Sequence, residues 1–232
     1  MEITKEITRK NLVKFFPFWF LGIAFFLKII AWDIYRIQFG EDGIIEYIQF
    51  VLYAISGLFL FVTFLQQLGE RRYFLVTIFF VLCIGVLFVA MEEISWGQRI
   101  LGFETPVDLK KKNVQGELTF HNVDLFHRYI LHNAYILVAI CGLFLIEKPK
   151  QIYRKFSKKI VDFVSPAENL KYYFFVVGSF YIFLQYVYPI EERFSGKGNP
   201  LVYPGDQEVF ELVLAVAVFS YSFSKFGLRK SS

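Results

Sequence analysis

Apolar runs of about twenty residues recur from one end of this 232-residue chain to the other, and they decide most of what it can become. A helix rises about 1.5 Å per residue, so roughly twenty apolar residues cross a hydrocarbon layer about 30 Å thick. Tyr73 to Ala90 runs without a single charge. The rest of the composition agrees: 30 of the residues are Phe, far more than a soluble core of this size requires. The pattern predicts an all-α polytopic membrane protein and leaves no stretch for a soluble or nucleic-acid-binding domain.

Six spans are expected, at about 15–34, 44–65, 73–94, 127–146, 172–190 and 209–226, so that 1–232 forms one integral membrane domain with a long loop at 101–126. The first run follows a basic start and lacks a small-residue cleavage site, which reads as a retained span. Cys83 and Cys141 lie inside apolar runs and lack zinc or redox spacing.

Lysine and arginine set the orientation, because the cytoplasmic loops of membrane proteins are enriched in them. The N-terminal segment, the 70–72 turn, the 147–171 connection and the C-terminal tail hold sixteen of the 25 Lys and Arg. Both termini are therefore expected in the cytoplasm. The acids lean the other way: fifteen of 21 fall on the outer side. Acidic residues direct insertion only weakly, so this bias asks for another cause, and a polar site on the outer face supplies one.

The outer ends of the spans resemble one another. They carry Asp33, then Glu92 and Glu93, then Glu191 and Glu192; the spans that follow open near Glu46, His127 and Glu211. This suggests three helical hairpins that bring ionisable groups to one rim, where a carboxylate is costly unless solvated, paired or bound to a cation.

All three histidines, His121, His127 and His132, fall in and just after the loop that follows the third span. Histidine titrates near neutrality and is the commonest metal ligand. Together with acids at a dry interface it suits a metal site or acid–base catalysis. His127 and His132 are five apart, about 140° around a helix, so they cannot chelate one ion together. The expected ligand set is His121 and His127 with Glu93 or Glu92, joined by Glu46 or Glu211. A divalent ion, zinc foremost, is the candidate cofactor. His132 reads as a buried, hydrogen-bonded residue. Glu92, Glu93, His121 and His127 are the candidate catalytic groups. Adjacent helical residues diverge by about 100°, so only one of the two glutamates turns inward. Glu93 is the expected one, because it continues the stripe of Val86 and Ala90. Ser95, Gln98, Asn113, Gln115, Glu117 and Asn122 are candidate contacts to a headgroup or sugar, although Ser95 reads more simply as a helix-end hydroxyl bonded to backbone.

The stretch Glu92-Glu-Ile-Ser-Trp-Gly-Gln98, followed by Glu104-Thr-Pro106 and by Asn113-x-Gln-Gly-Glu117-x-x-x-His121-Asn122, resembles a group of uncharacterised bacterial multi-pass membrane proteins. That resemblance covers about thirty residues and implies no activity. A fainter similarity of parts links the acids, Ser95 and three histidines to the alkaline ceramidase and adiponectin-receptor superfamily of zinc membrane hydrolases. That superfamily has seven spans and a late His-x-x-x-His pair, which this chain lacks.

These features lead to an expected function: a membrane-embedded enzyme of a bacterial cytoplasmic membrane. Its outer-leaflet site of carboxylates and histidines would act on a lipid or lipid-linked substrate by hydrolysis or group transfer. The alternatives are a non-enzymatic transporter or ion-binding protein, and an accessory subunit of a membrane complex. A transporter should carry charge deep in several spans, and in this sequence only Lys28 qualifies.

Overall fold

The computed structural model describes residues 2–40, 43–102, 104–106, 119, 130–188, 203 and 205–227. Among them it is all-helical, with no strand. The helices are α1 (Glu2–Ile30), α2 (Trp32–Phe39), α3 (Ile44–Gly69), α4 (Tyr73–Glu93), α5 (Gln98–Leu101), α6 (His132–Glu147), α7 (Lys150–Lys155), α8 (Lys158–Val164), α9 (Lys171–Ile182) and α10 (Asp206–Gly227). Among the described residues five stretches are long and apolar enough to cross a membrane: Asn11–Ile30, Trp32–Gly69, Tyr73–Glu93, Glu168–Val187 and Asp206–Gly227. The sixth expected span is represented by the shorter apolar helix His132–Glu147; residues 127–129 lie outside the described residues.

The first span differs from expectation at its C-terminal end. α1 stops at Ile30, Ala31 leaves helical geometry (φ −140°, ψ 57°), and α2 continues in a new direction. The backbone bonds survive the bend, since Ala31 N–H donates to Leu27 O and Tyr35 N–H to Ala31 O. The bend lets Tyr35 and Phe39, one turn apart, stack at 4.8 Å and turn inward.

The chain divides into two compact units. The first comprises Met1–Ile45 and Tyr135–Leu214. Within it α6 and α9 run antiparallel, with Tyr135 stacked on Tyr181 at 4.4 Å and Gly142 against Phe174. A side chain at Gly142 would put its Cβ 2.7 Å from the Phe174 ring, so close helix approach requires glycine there. Next to Phe174, the Tyr173 hydroxyl donates to Val13 O of α1 at 2.6 Å.

The second unit comprises Glu46–Ala134 and Ala215–Ser232. α3 and α4 form a hairpin around the turn at Glu70–Arg72. Phe64 meets Phe80, Gly57 meets Leu87, and Tyr53 packs with Ala90. The second half of α10 lies along α3 in the same direction: Ala215 packs with Tyr53, and Phe219, Phe223 and Phe226 surround Phe59. α3 is inverted relative to a helix of a soluble protein. Its exposed face holds Val51, Leu58, Phe61 and Leu65, whereas Glu46, Gln49, Ser56, Thr63 and Gln67 are buried. That is the arrangement a hydrocarbon solvent selects, since outward polar groups would go unsatisfied there.

Candidate functional site

In the α3–α4 hairpin the end away from the Glu70–Arg72 turn holds the start of α3 and the last turn of α4. Along α4 the apolar burial ends at Ala90, and the next fully covered side chains are Glu92, at 5% exposure, and then Ile94 and Ser95. Glu46 is also buried, and so is His132, as its sequence position suggests.

The turn after α4 explains why Glu92 is covered. Ser95, Trp96 and Gly97 take successive positive φ values of 50°, 54° and 83°. A non-glycine residue in the left-handed region is uncommon, and two in a row are costly. The short left-handed turn is closed by Gly97 N–H donating to Ile94 O at 2.9 Å. It folds the chain back so that the Trp96 indole N–H donates to the Glu92 carboxylate, with the Trp96 ring edge-on to Phe88 at 5.5 Å. α5 then begins at Gln98, whose side-chain amide donates to the Thr105 hydroxyl at 2.7 Å.

Glu92 is the more deeply covered of the pair, and Glu93, the last residue of α4, is partly covered. The reversed turn after α4 is what covers Glu92. Trp96 holds the Glu92 carboxylate. Ser95 is fully buried, and Gln98 is fixed by Thr105. Of the remaining candidates, His121, His127, Asn113, Gln115, Glu117 and Asn122 lie outside the described residues.

The first unit holds a second polar group, and most of it was not singled out from sequence. Asp206, the first residue of α10, accepts from Lys28 Nζ at 2.6 Å, from the Tyr35 hydroxyl at 2.6 Å and from Tyr203 N–H at 2.8 Å. Lys28 sits in the last turn of α1 and Asp206 in the first turn of α10. Each charge therefore meets the helix-dipole end that favours it. The isolated intramembrane lysine is thus an ion-pair partner, which removes the one feature that had pointed to deep charge. The signal that would have found this pair is Lys28 itself, since an intramembrane cation implies an acid nearby. One turn further along α10, Glu208 and Glu211 bring carboxylate oxygens within 4.8 Å of each other. Glu211 accepts from the buried Tyr181 hydroxyl at 2.7 Å. Two acids on one helix face could share a cation, and Glu211 belongs to the expected ligand set.

No protein-family model, curated protein or solved structure matches the chain.

Proposed function

We propose that the protein is a membrane-embedded enzyme whose site lies at the outer end of α4. On this reading it acts on a lipid or lipid-linked substrate by hydrolysis or group transfer. The observation that carries the reading is the left-handed turn Ser95–Gly97. Strained backbone persists only where its surroundings enforce it, and it clusters at active sites. Here it buries a carboxylate at the C-terminal end of a helix, where the dipole disfavours negative charge. A carboxyl group so placed is suited to hold a proton and release it, which is the behaviour of a general acid–base group.

In the proposed mechanism Glu92 transfers the proton and Trp96 fixes its orientation. Ser95 and Gln98 contact the polar part of the substrate. His121 and His127, with Glu93 and with Glu46 or Glu211, are the proposed ligands of a divalent ion, zinc foremost. That ion would activate water or polarise the scissile ester. The proposed setting is a bacterial cytoplasmic membrane, with both termini inside and the 101–126 loop outside. Membrane lipids are the proposed partners.

Two experiments test the reading. Protein in nanodiscs is incubated with a total bacterial lipid extract, and the products are followed by mass spectrometry. At least one lipid class should be converted by the wild type and left intact by Glu92→Gln. A wild type that converts nothing, or a variant that matches it, removes the enzymatic reading. Metal analysis of the same preparation should find about one zinc per chain, lost on His121→Ala. Orientation is tested separately: Lys111→Cys should react with an impermeant thiol reagent on intact cells, and labelling only after lysis would reverse it.

A further inference from the structure

The buried face of α3 is polar along nearly the whole helix, and beyond Glu46 at its start the proposed outer chemistry does not use it. Glu46, Gln49, Tyr53, Ser56, Leu60, Thr63 and Gln67 are each at most 7% exposed. At about 100° per residue these positions fall within an arc of roughly 100°. They extend about 32 Å along the axis, close to the thickness of the hydrocarbon layer. The neighbours define where this arc points. Gly57 and Phe64 mark the side of α3 against α4, and Phe59 marks the side against α10. The polar file occupies the wedge between those two sides.

Buried polar residues often do no more than join membrane helices. Ser56 and Thr63 fit that account in part, since each hydroxyl donates to the carbonyl one turn back, at 2.6 and 2.9 Å. The bond uses the hydroxyl proton and leaves the oxygen able to accept. Gln67 does not fit it. Its side-chain oxygen is buried and has no hydrogen-bond partner among the described residues. Residues that only join helices close such valences against a neighbour, whereas an acceptor left open in a buried file is the place where water binds.

We propose that the inner face of α3 is a water-bearing proton path across the membrane, with Leu60 as its dry constriction. Leu60 is the only fully apolar member of the file. It separates Ser56 from Thr63, which lie about 10 Å apart along the axis, a gap that a few waters would bridge. Apolar constrictions of this kind gate by excluding water. The carrier is the proton and not a metal cation. Between Glu46 and Gln67 the file offers hydroxyls and amides, which relay hydrogen bonds, and no carboxylate to replace a hydration shell. The proposal uses α3 and stands apart from the enzymatic reading of Glu92.

The test uses full-length protein in liposomes, in a Cys83→Ser/Cys141→Ser background. Ser56→Cys and Thr63→Cys change little in size. Both should react with a small charged methanethiosulfonate at least tenfold faster than Leu58→Cys and Phe61→Cys on the exposed face. Proton flux is read with an internal pH dye under an imposed potential. Leu60→Asn should raise it at least tenfold over wild type, and adding Gln67→Leu should cancel the rise. If Leu60→Asn is not monodisperse, Leu60→Ala replaces it. Slow labelling at both file positions in folded protein overturns the proposal and leaves helix joining. Fast labelling without any rise in proton flux also overturns it, leaving a wet cleft that conducts nothing.

Discussion

Asp206 and Glu92 are both acids in the end turn of a long apolar helix, and their surroundings treat them in opposite ways. Asp206 begins α10, where exposed N–H groups favour negative charge, and a lysine, a tyrosine and a backbone N–H converge on it. Glu92 ends α4, where exposed carbonyls disfavour negative charge. It is held by an indole N–H that a left-handed turn brings back over it. The first arrangement lowers the energy of the folded chain through its own contacts. The second needs the rest of the fold to impose it. In a membrane the mere presence of a charged residue does not separate structure from function; whether its setting favours the charge does.

The largest expected effect tests the structural half of this comparison. Asp206→Ala leaves the Lys28 ammonium largely buried without its acid. Removing one partner of a buried pair costs about 3–5 kcal/mol, and because both side chains are 13% exposed the lower end applies. Unfolding of the purified protein in mixed micelles by SDS titration should show a loss of about 3 kcal/mol. Lys28→Met in the same background should recover more than half of it. A loss below about 1 kcal/mol, the range of exposed pairs, would mean that Asp206 is not a lock and that the contrast with Glu92 fails.

The functional half predicts the reverse pattern. Glu92→Gln keeps the shape of the side chain and removes a charge from the helix end that disfavours it. Stability should stay level or rise by about 0.3–1 kcal/mol, while lipid conversion is lost. The indole offers a direct readout. In a Trp19→Phe/Trp32→Phe background, Trp96 fluorescence should shift between the parent and Glu92→Gln as the indole loses its carboxylate partner. A variant that loses more than about 2 kcal/mol, as residues in buried hydrogen-bonded networks do, would place Glu92 with Asp206 as a structural acid.

What the sequence made legible follows from what has a period. Apolar runs of membrane length announced an all-helical membrane chain, and five of the expected spans correspond to helices long enough to cross. The acids at helix ends were also visible, because residue type alone marks them. The geometry of the site was not legible. Nothing in Ser95-Trp96 signals two left-handed residues, since such strain is imposed by distant packing and is opposed by local preference. The coverage of Glu92 by Trp96 was therefore not foreseen. The pairing of Lys28 with Asp206 spans most of the chain, and no local spacing encodes it. The polar face of α3 was written in the sequence at positions 46, 49, 56, 63 and 67, but neutral hydroxyls and amides attract less notice than charges.

A smaller effect sharpens the role of the turn. Ser95→Gly removes the Cβ penalty at φ 50°, a relief of about 1 kcal/mol, and it also removes a buried hydroxyl. The two changes nearly offset, so the unfolding free energy should move by less than about 1 kcal/mol while lipid conversion falls at least tenfold. Ser95→Val restores the penalty with a β-branched side chain and should destabilise. If Ser95→Gly keeps full conversion, the hydroxyl is not a substrate contact, and strain alone no longer marks the site.

The smallest effect is expected at the surface of the first unit, where an ion pair has no burial behind it. Lys148 Nζ lies 2.8 Å from Asp162 Oδ1, and both side chains are about a third exposed or more. The hydrogen bond from Lys148 holds the Asp162 carboxyl below its ordinary range, and the same bond raises the Lys148 ammonium above its own. A carboxylate with a lowered folded pKa contributes stability above its unfolded value, and the contribution is lost as pH falls through the folded value. That window lies below pH 4, because the ordinary aspartate value is about 3.9 and the shift is downward. On the basic side the lysine contribution persists up to its unfolded value near 10.4 and fades above it. Between pH 5 and 9, therefore, the pair should give no slope to stability. Asp162→Asn should unfold at the same temperature as the parent throughout that range in a detergent melt, because water and salt screen an exposed pair. A clear loss at pH 7 would show that exposed charges in this protein stabilise as buried ones do, and the contrast drawn from Asp206 would then not depend on burial.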